Sequence, residues 1–288
     1  MVLFAVPHRR VSPGVCWGSP PKVLPMAVVR PPARRDATSA PSSRALRSGR
    51  GARGTAPNHV LTPRDHDVLR WIGRYGVVST EQVARHWFPR KETTAGAWTT
   101  TAAYRRVRVL ETMGLLQRDQ IYLRGPHILR LTAKGAQEAN TGVRPARLVP
   151  ATVGHALAVV DLTEELLPQF REATLVTERE IRSEQIRARR THGRDGVVLK
   201  RVPDALFRFA SGKADAVELD YTPKTTKDIK RIAYTYDEHH PAIFKRVLWY
   251  APRGRIFARV RATVADLGLD SFITVEEWPV QPRGGEEG

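Results

Sequence analysis

Apolar and polar positions alternate with a helical period through Thr99–Leu116, read as TTTAAYRRVRVLETMGLL. Ala103, Val107, Leu110 and Met113 share one side; Thr101, Tyr104, Arg105 and Arg108 fall on the other. Gly114 reads as the C-cap, and Leu115-Leu116 run on into a strand. Upstream, Thr62-Pro63 is an N-cap followed by proline at the first helical position, with Asp65 and Asp67 in the first turn. Val68, Leu69, Trp71 and Ile72 give that helix an apolar stripe ending near Tyr75-Gly76. Val77-Val78 is a short extended piece. Ser79 caps a second helix carrying Val83, Ala84 and Trp87-Phe88, with Glu81 or Gln82 near the reciprocal capping position, and Pro89 stops it. Downstream, Gln117–Tyr122 and His127–Leu131 read as strands joined by a turn at Arg124-Gly125-Pro126, and Thr132-Ala133-Lys134-Gly135-Ala136 starts a further helix.

The order helix, helix, helix, strand, turn, strand, helix predicts a winged helix-turn-helix over residues 58–140, with Thr99–Leu116 as its recognition helix. In that frame Thr100, Thr101, Tyr104, Arg105 and Arg108 lie at a DNA groove, where arginine reads guanine edges and hydroxyls reach phosphate. Arg106, Arg118, Arg124 and Arg130 would meet phosphates, Arg106 lying closest to the apolar flank. An ordinary amphipathic surface helix with solvated arginines shows the same period, and winged helices also serve as protein-interaction modules.

Residues 141–150 read as a linker containing Pro and Arg, and residues 151–282 as a second, mixed α/β domain. Its predicted order is α-β-β-β-α-β-α-β: helix Gly154–Leu167, strand Thr174–Glu180, a basic hairpin-like region Arg182–Lys200, strands Val202–Ala210 and Ala214–Tyr221, helix Thr226–Glu238, strand Arg246–Ala251, helix Val260–Leu267 and strand Ser271–Glu277. Residues 283–288 read as a frayed tail. Residues 1–57 are rich in Pro, Arg, Ser, Ala and Gly and read as a disordered basic arm carrying Arg34, Arg35, Arg44, Arg47, Arg50 and Arg53. Met26 is an alternative start, and a plain tail is the alternative to a phosphate-binding arm.

Composition narrows the partners. The 288 residues carry 47 Lys+Arg against 29 Asp+Glu, a formal charge of +18 with a pI near 10.8, which points to a polyanion, DNA or RNA ahead of a membrane surface. A GC-rich coding sequence enriches arginine without selection for binding. The single cysteine, Cys16, excludes a disulfide framework and a cysteine metal site. No stretch has the apolar length to span a bilayer, and MVLFAVPHRR lacks the basic start and apolar core of a signal peptide, so a cytoplasmic protein is expected.

The second domain carries an acidic constellation. Asp204 begins a strand, and in VELDY the strand period puts Glu218 and Asp220 on one face and Val217, Leu219 and Tyr221 on the other. If these strands are neighbours, Asp204, Glu218 and Asp220 meet at one end of the sheet, where three carboxylates would hold Mg²⁺ and activate water, with Lys224 or Lys227 approaching. Half-exposed acids paired with arginines such as Arg208 are the alternative. The order αβββαβ, with Pro203-Asp204 and then Glu218, resembles the restriction-endonuclease-like PD-(D/E)xK fold. That resemblance requires a lysine where Asp220 stands, so it implies a degenerate scaffold ahead of a live nuclease.

From Leu61 to Glu277 the chain resembles the replication-relaxation family of plasmid and mobile-element proteins, common in actinobacteria. The resemblance rests on LTPRDHDVLRWIGRYGVVSTEQVARHWF, AYRRVRVLETMGLL followed by LRLTAKG, GHALAVVDLTEELL, and VPDALFRF followed by VELDYTPKTTKDIKRIAYTY. It implies a double-stranded-DNA-binding protein, sequence- or structure-specific, acting in replication or relaxation of a plasmid or integrative element, and it carries over no catalytic residues. The expected architecture is therefore α+β: a winged helix-turn-helix followed by an endonuclease-like αβββαβ domain. Duplex DNA is the expected partner, with a second copy or plasmid replication or transfer proteins beside it and no membrane. No cofactor is expected unless the protein is a Mg²⁺-dependent endonuclease or nickase using Asp204, Glu218, Asp220 and Lys224. A winged-helix transcriptional repressor is the second alternative.

Overall fold

The computed structural model describes residues 59–88, 101–121, 123–192 and 199–278. Thr100, the basic arm at 1–57 and the tail at 283–288 lie outside the described residues. Among the described residues the fold is mixed α+β, with two sheets.

Helix α1 (Pro63–Tyr75) begins where the capping pattern predicts: Thr62 and Asp65 form a reciprocal capping box, and Gly76, at φ 85°, ends the helix in a conformation a side chain resists. Strand β1 (Val78–Ser79) leads into α2 (Thr80–Trp87), which opens on a second capping box between Ser79 and Gln82. Helix α3 (Thr101–Thr112) follows, and Gly114, at φ 72°, turns the chain into β2 (Leu116–Asp119). Strand β3 (Ile128–Leu131) pairs antiparallel with both β2 and β1, giving the order β1-β3-β2, and α4 (Ala133–Ala139) closes this part. Its core gathers Leu69 and Ile72 of α1, Val83 of α2, Val107 and Leu110 of α3, and Leu129 and Leu131 of β3.

The stretch between α4 and α5 (Pro150–Leu166) has no regular structure, yet Ala146 is buried beside Val77, Ile128 and Val153. The second sheet contains β4 (Ala173–Thr177), β5 (Ala205–Phe209), β6 (Ala214–Leu219), β7 (Phe244–Pro252) and β8 (Ile273–Trp278), in that spatial order. The first three run antiparallel, and β6, β7 and β8 run parallel. Helices α7 (Thr226–Asp237) and α8 (Arg255–Asp266) make the parallel crossovers and cover one face through Ile232, Tyr236, Val260 and Val264. Helix α5 covers the other through Ala158, Leu162 and Leu166. Every residue of β6 is buried, as a central strand covered on both faces requires.

One element differs from the sequence expectation. The basic hairpin-like region is instead helix α6 (Glu178–His192), inserted between the first two strands of the sheet. Thr177 and Glu180 supply its start: the Glu180 carboxylate accepts from the Thr177 N–H at 2.9 Å, and Ile181 packs into the core. No helix among the described residues is long and apolar enough to cross a membrane.

Candidate functional site

Helix α3 divides cleanly into two sides. Ala103, Val107 and Leu110 are buried, while Thr101, Ala102, Arg105, Arg108 and Thr112 are exposed. Neither Arg105 nor Arg108 has an acidic partner among the described residues, so both guanidinium groups face solvent on one convex surface. Arg124 is likewise exposed, in the turn between β2 and β3, beside Leu123, which is 96% exposed.

Other members of the expected DNA-facing set are engaged inside the protein. Arg106 donates through Nε to Asp65 at 2.7 Å and through a second nitrogen to the other carboxylate oxygen, tying α3 to the first turn of α1. Asp65 is 1% exposed, so this is a committed pair. Burial raises the Asp65 carboxyl, but the hydrogen bonds from Arg106 and Thr62 outweigh it and hold the group below its ordinary range. Arg118 of β2 pairs with Glu111 of α3 at 3.1 Å, and Arg130 pairs with Asp119 across the β2–β3 hairpin at 2.9 Å. The Tyr104 hydroxyl donates to Glu81 of α2 at 3.1 Å.

The acidic constellation occupies the carboxyl end of β6. The antiparallel register that pairs Ala205 with Val217 brings Asp204 opposite Glu218. Each carboxylate has its own partners. Asp204 accepts from the Leu219 N–H at 2.8 Å and meets Nε2 of His155, on α5, at 3.2 Å. Glu218, 1% exposed, takes a bidentate pair from Arg201, both contacts at 2.8 Å, and accepts from the Tyr236 hydroxyl. Asp220 is fully buried; one oxygen pairs with Lys224 and the other is unpartnered. Lys227 is exposed.

Electrostatics follow burial. Desolvation, reinforced by the Asp204 charge, raises the Glu218 carboxyl even against Arg201. Desolvation lowers Lys224. For His155 burial works downward, but the hydrogen bond and charge of Asp204 outweigh it, and the imidazole is raised.

The expected Mg²⁺ triad does not form in this arrangement. Among the described residues no group of three or more His, Cys, Asp or Glu side chains is placed to hold a metal ion. The physical reason is the engagement of Glu218 by Arg201 and Tyr236 and of Asp220 by Lys224, which turns a ligand set into three separate charge pairs. Arg201, His155 and Tyr236 were missed from the sequence. Arg201 stands three residues before Asp204, but its acid lies seventeen positions away, and His155 is forty-nine positions from Asp204.

A family model described as replication-relaxation matches residues 69–242, more than half of the chain, from within α1 to just beyond α7. No curated protein matches it.

Proposed function

The chain belongs to the replication-relaxation family, and on that premise we propose that it is a duplex-DNA-binding protein of a plasmid or integrative element, acting in replication, relaxation or their control. The observation that carries this reading is the convex face of α3, where Arg105, Arg108, Thr101 and Thr112 are exposed while the opposite side is locked into the core. Supporting it, the order α1, β1, α2, α3, β2, β3, with β3 central in its sheet, is the order of a winged helix-turn-helix. In this reading α3 enters the major groove, Arg105 and Arg108 read base edges, Thr101 and Thr112 reach phosphate, and Arg124 meets the backbone from the hairpin turn. Arg106 acts through position, holding α3 on α1. Arg118 fastens the hairpin to α3 through Glu111, and Arg130 stiffens the hairpin through Asp119. The charge of +18 supplies the sequence-independent attraction.

The test is duplex binding by the full chain with Arg105→Ala and Arg108→Ala together. A loss of roughly 1–3 kcal/mol per base-reading contact is expected, and an unchanged gel shift refutes the assignment of α3. The charge cluster at β6 acts in this reading as an internal brace joining α5, β5, β6 and α7, not as a catalytic centre. Supercoiled plasmid incubated with Mg²⁺ and either the wild type or Asp204→Ala is expected to remain equally intact; nicking by the wild type that the variant loses refutes the brace.

A further inference from the structure

Helices α6 and α7, with the segment leading into β5, form an open groove of about 730 Å³, different in character from the exposed face of α3. Five cations from three segments line it: Arg182 and Arg189 of α6, Lys200 and Arg201, and Arg231 of α7. Among the described residues no carboxylate lines it. Between the cations the walls are apolar, formed by Ile186, Leu199, Val202 and Ile232, and Ile186 is 53% exposed. An exposed isoleucine among arginines makes an amphipathic surface, the kind an amphipathic ligand matches.

We propose that this groove binds single-stranded DNA, phosphates on the cations and unpaired base faces on the apolar wall. A duplex stacks its bases away from such a wall and offers phosphates alone. A single strand offers both, and cationic grooves with apolar or aromatic platforms are how proteins hold it. The cations are available at small cost. Arg182, Lys200 and Arg231 pair with Glu178, Glu238 and Asp228, all exposed acids outside the cavity lining, and exposed pairs of this kind contribute little and exchange readily. Arg189 has no acidic partner among the described residues. Arg201 is the exception: its charge is matched by buried Glu218, and it forms a fixed floor to the groove. The side-chain nitrogen of Gln185, which also lines the cavity, is a buried donor with no acceptor. A protein that holds duplex on α3 and a strand on α6–α7 fits DNA that is being opened.

The experiment is fluorescence anisotropy of the full chain with a short labelled single strand and with its duplex. In Arg189→Glu with Arg231→Glu, single-strand affinity is expected to fall about tenfold or more and its salt dependence to weaken by about 0.7 per lost phosphate contact, with duplex affinity nearly unchanged. Arg189→Lys with Arg231→Lys retains strand binding, and an unchanged melting temperature shows that both variants fold. The α3 variant, Arg105→Ala with Arg108→Ala, keeps its strand affinity, so failure of the duplex reading and failure of this one are separate results. The proposal is overturned by a wild type that binds no single strand, by an unchanged strand affinity in the glutamate variant, by equal losses on strand and duplex, or by polyglutamate displacing the strand as effectively as unlabelled strand does, which would assign the groove to an acidic protein segment.

Discussion

Arg105 and Arg106 are neighbours in the chain and opposite in circumstance: one faces solvent, the other is bound to a buried carboxylate. Replacing Asp65 by Asn leaves Arg106 without its counter-charge and weakens the α1 cap, so a destabilisation of about 2–4 kcal/mol is expected by urea unfolding. The Asp65 carboxyl is held below its ordinary value. Its contribution is therefore present above the unfolded value near about 3.9 and lost as pH falls through the folded value. The variant should show a shallower acid-side decline, and one as stable as the wild type refutes the anchor. His155 has the opposite sign. Its raised value means a contribution fully present below the ordinary imidazole value of about 6.5 and lost as pH rises through the folded value. His155→Gln should flatten the loss of stability from neutral to mildly alkaline pH, read as urea midpoints across that window; parallel profiles exclude the pair. The helical period exposed Arg106 as a flank residue, but the acid it meets is forty-one positions upstream, and no local pattern reports a contact of that separation.

Among the elements, α4 shows how a short motif can hold a neighbouring helix in place. The LTAKG stretch clamps the exit of α3: Thr132 N–H donates to Leu115 O at 3.1 Å, the Thr132 hydroxyl to Gly114 O at 2.6 Å, and Lys134 to Met113 O at 2.9 Å. Gly135 lies so close to the Leu115 carbonyl that a Cβ would overlap it, and both sides of that contact are backbone. Gly135→Ala is expected to cost roughly 2–3 kcal/mol through displacement of α4 from α3, measured as a lowered melting temperature; an unchanged melting temperature refutes the close approach. The elements with strong end signals were legible: Thr62-Pro63 and Ser79 start α1 and α2 where the sequence puts them, and the apolar period of α3 matches its buried side. Helix α6 was not, because its arginines outweigh its apolar positions and its start signal, Thr177 with Glu180, lies at the end of a strand. The carboxylates were legible as neighbours through strand period, whereas their engagement by Arg201, Tyr236 and Lys224 depends on elements that periodicity does not bring together.

For the molecule as a whole, the consequential feature is the seam joining α1 and α2 to α5, β4 and α6. Glu164 of α5 accepts from Trp71 Nε1 at 2.8 Å and from the Tyr75 hydroxyl at 3.0 Å, and lies 3.0 Å from His86, whose ring stacks on Trp71. Gln82 donates to Asp161 at 2.9 Å and to Leu157 O at 2.8 Å. Arg74 donates to Glu180 at 2.8 Å, and Thr177 donates to Arg74 O at 2.9 Å. Burial raises the Glu164 carboxyl, but hydrogen bonds from His86 and Trp71 outweigh it and keep the group low, so it is ionised and fully accepting at neutral pH. A seam of this kind resists independent motion of the two sheets, and all the described residues fall in one compact unit, Thr55–Gly288. The α3 face and the α6–α7 groove are thereby carried on one frame, and under the two proposals above that frame would set a duplex and its opened strand in fixed relation. Thermal unfolding is expected to be a single transition, with tryptophan fluorescence and far-ultraviolet circular dichroism coinciding. Glu164→Ala strands the Trp71 donor, leaves the Tyr75 hydroxyl with Thr163 alone, and should cost about 2–3 kcal/mol, pulling the two probes apart as the α1–α2 side loosens first. Probes that already separate in the wild type, or a Glu164→Ala variant as stable as the parent, would show that the seam does not couple the two sheets.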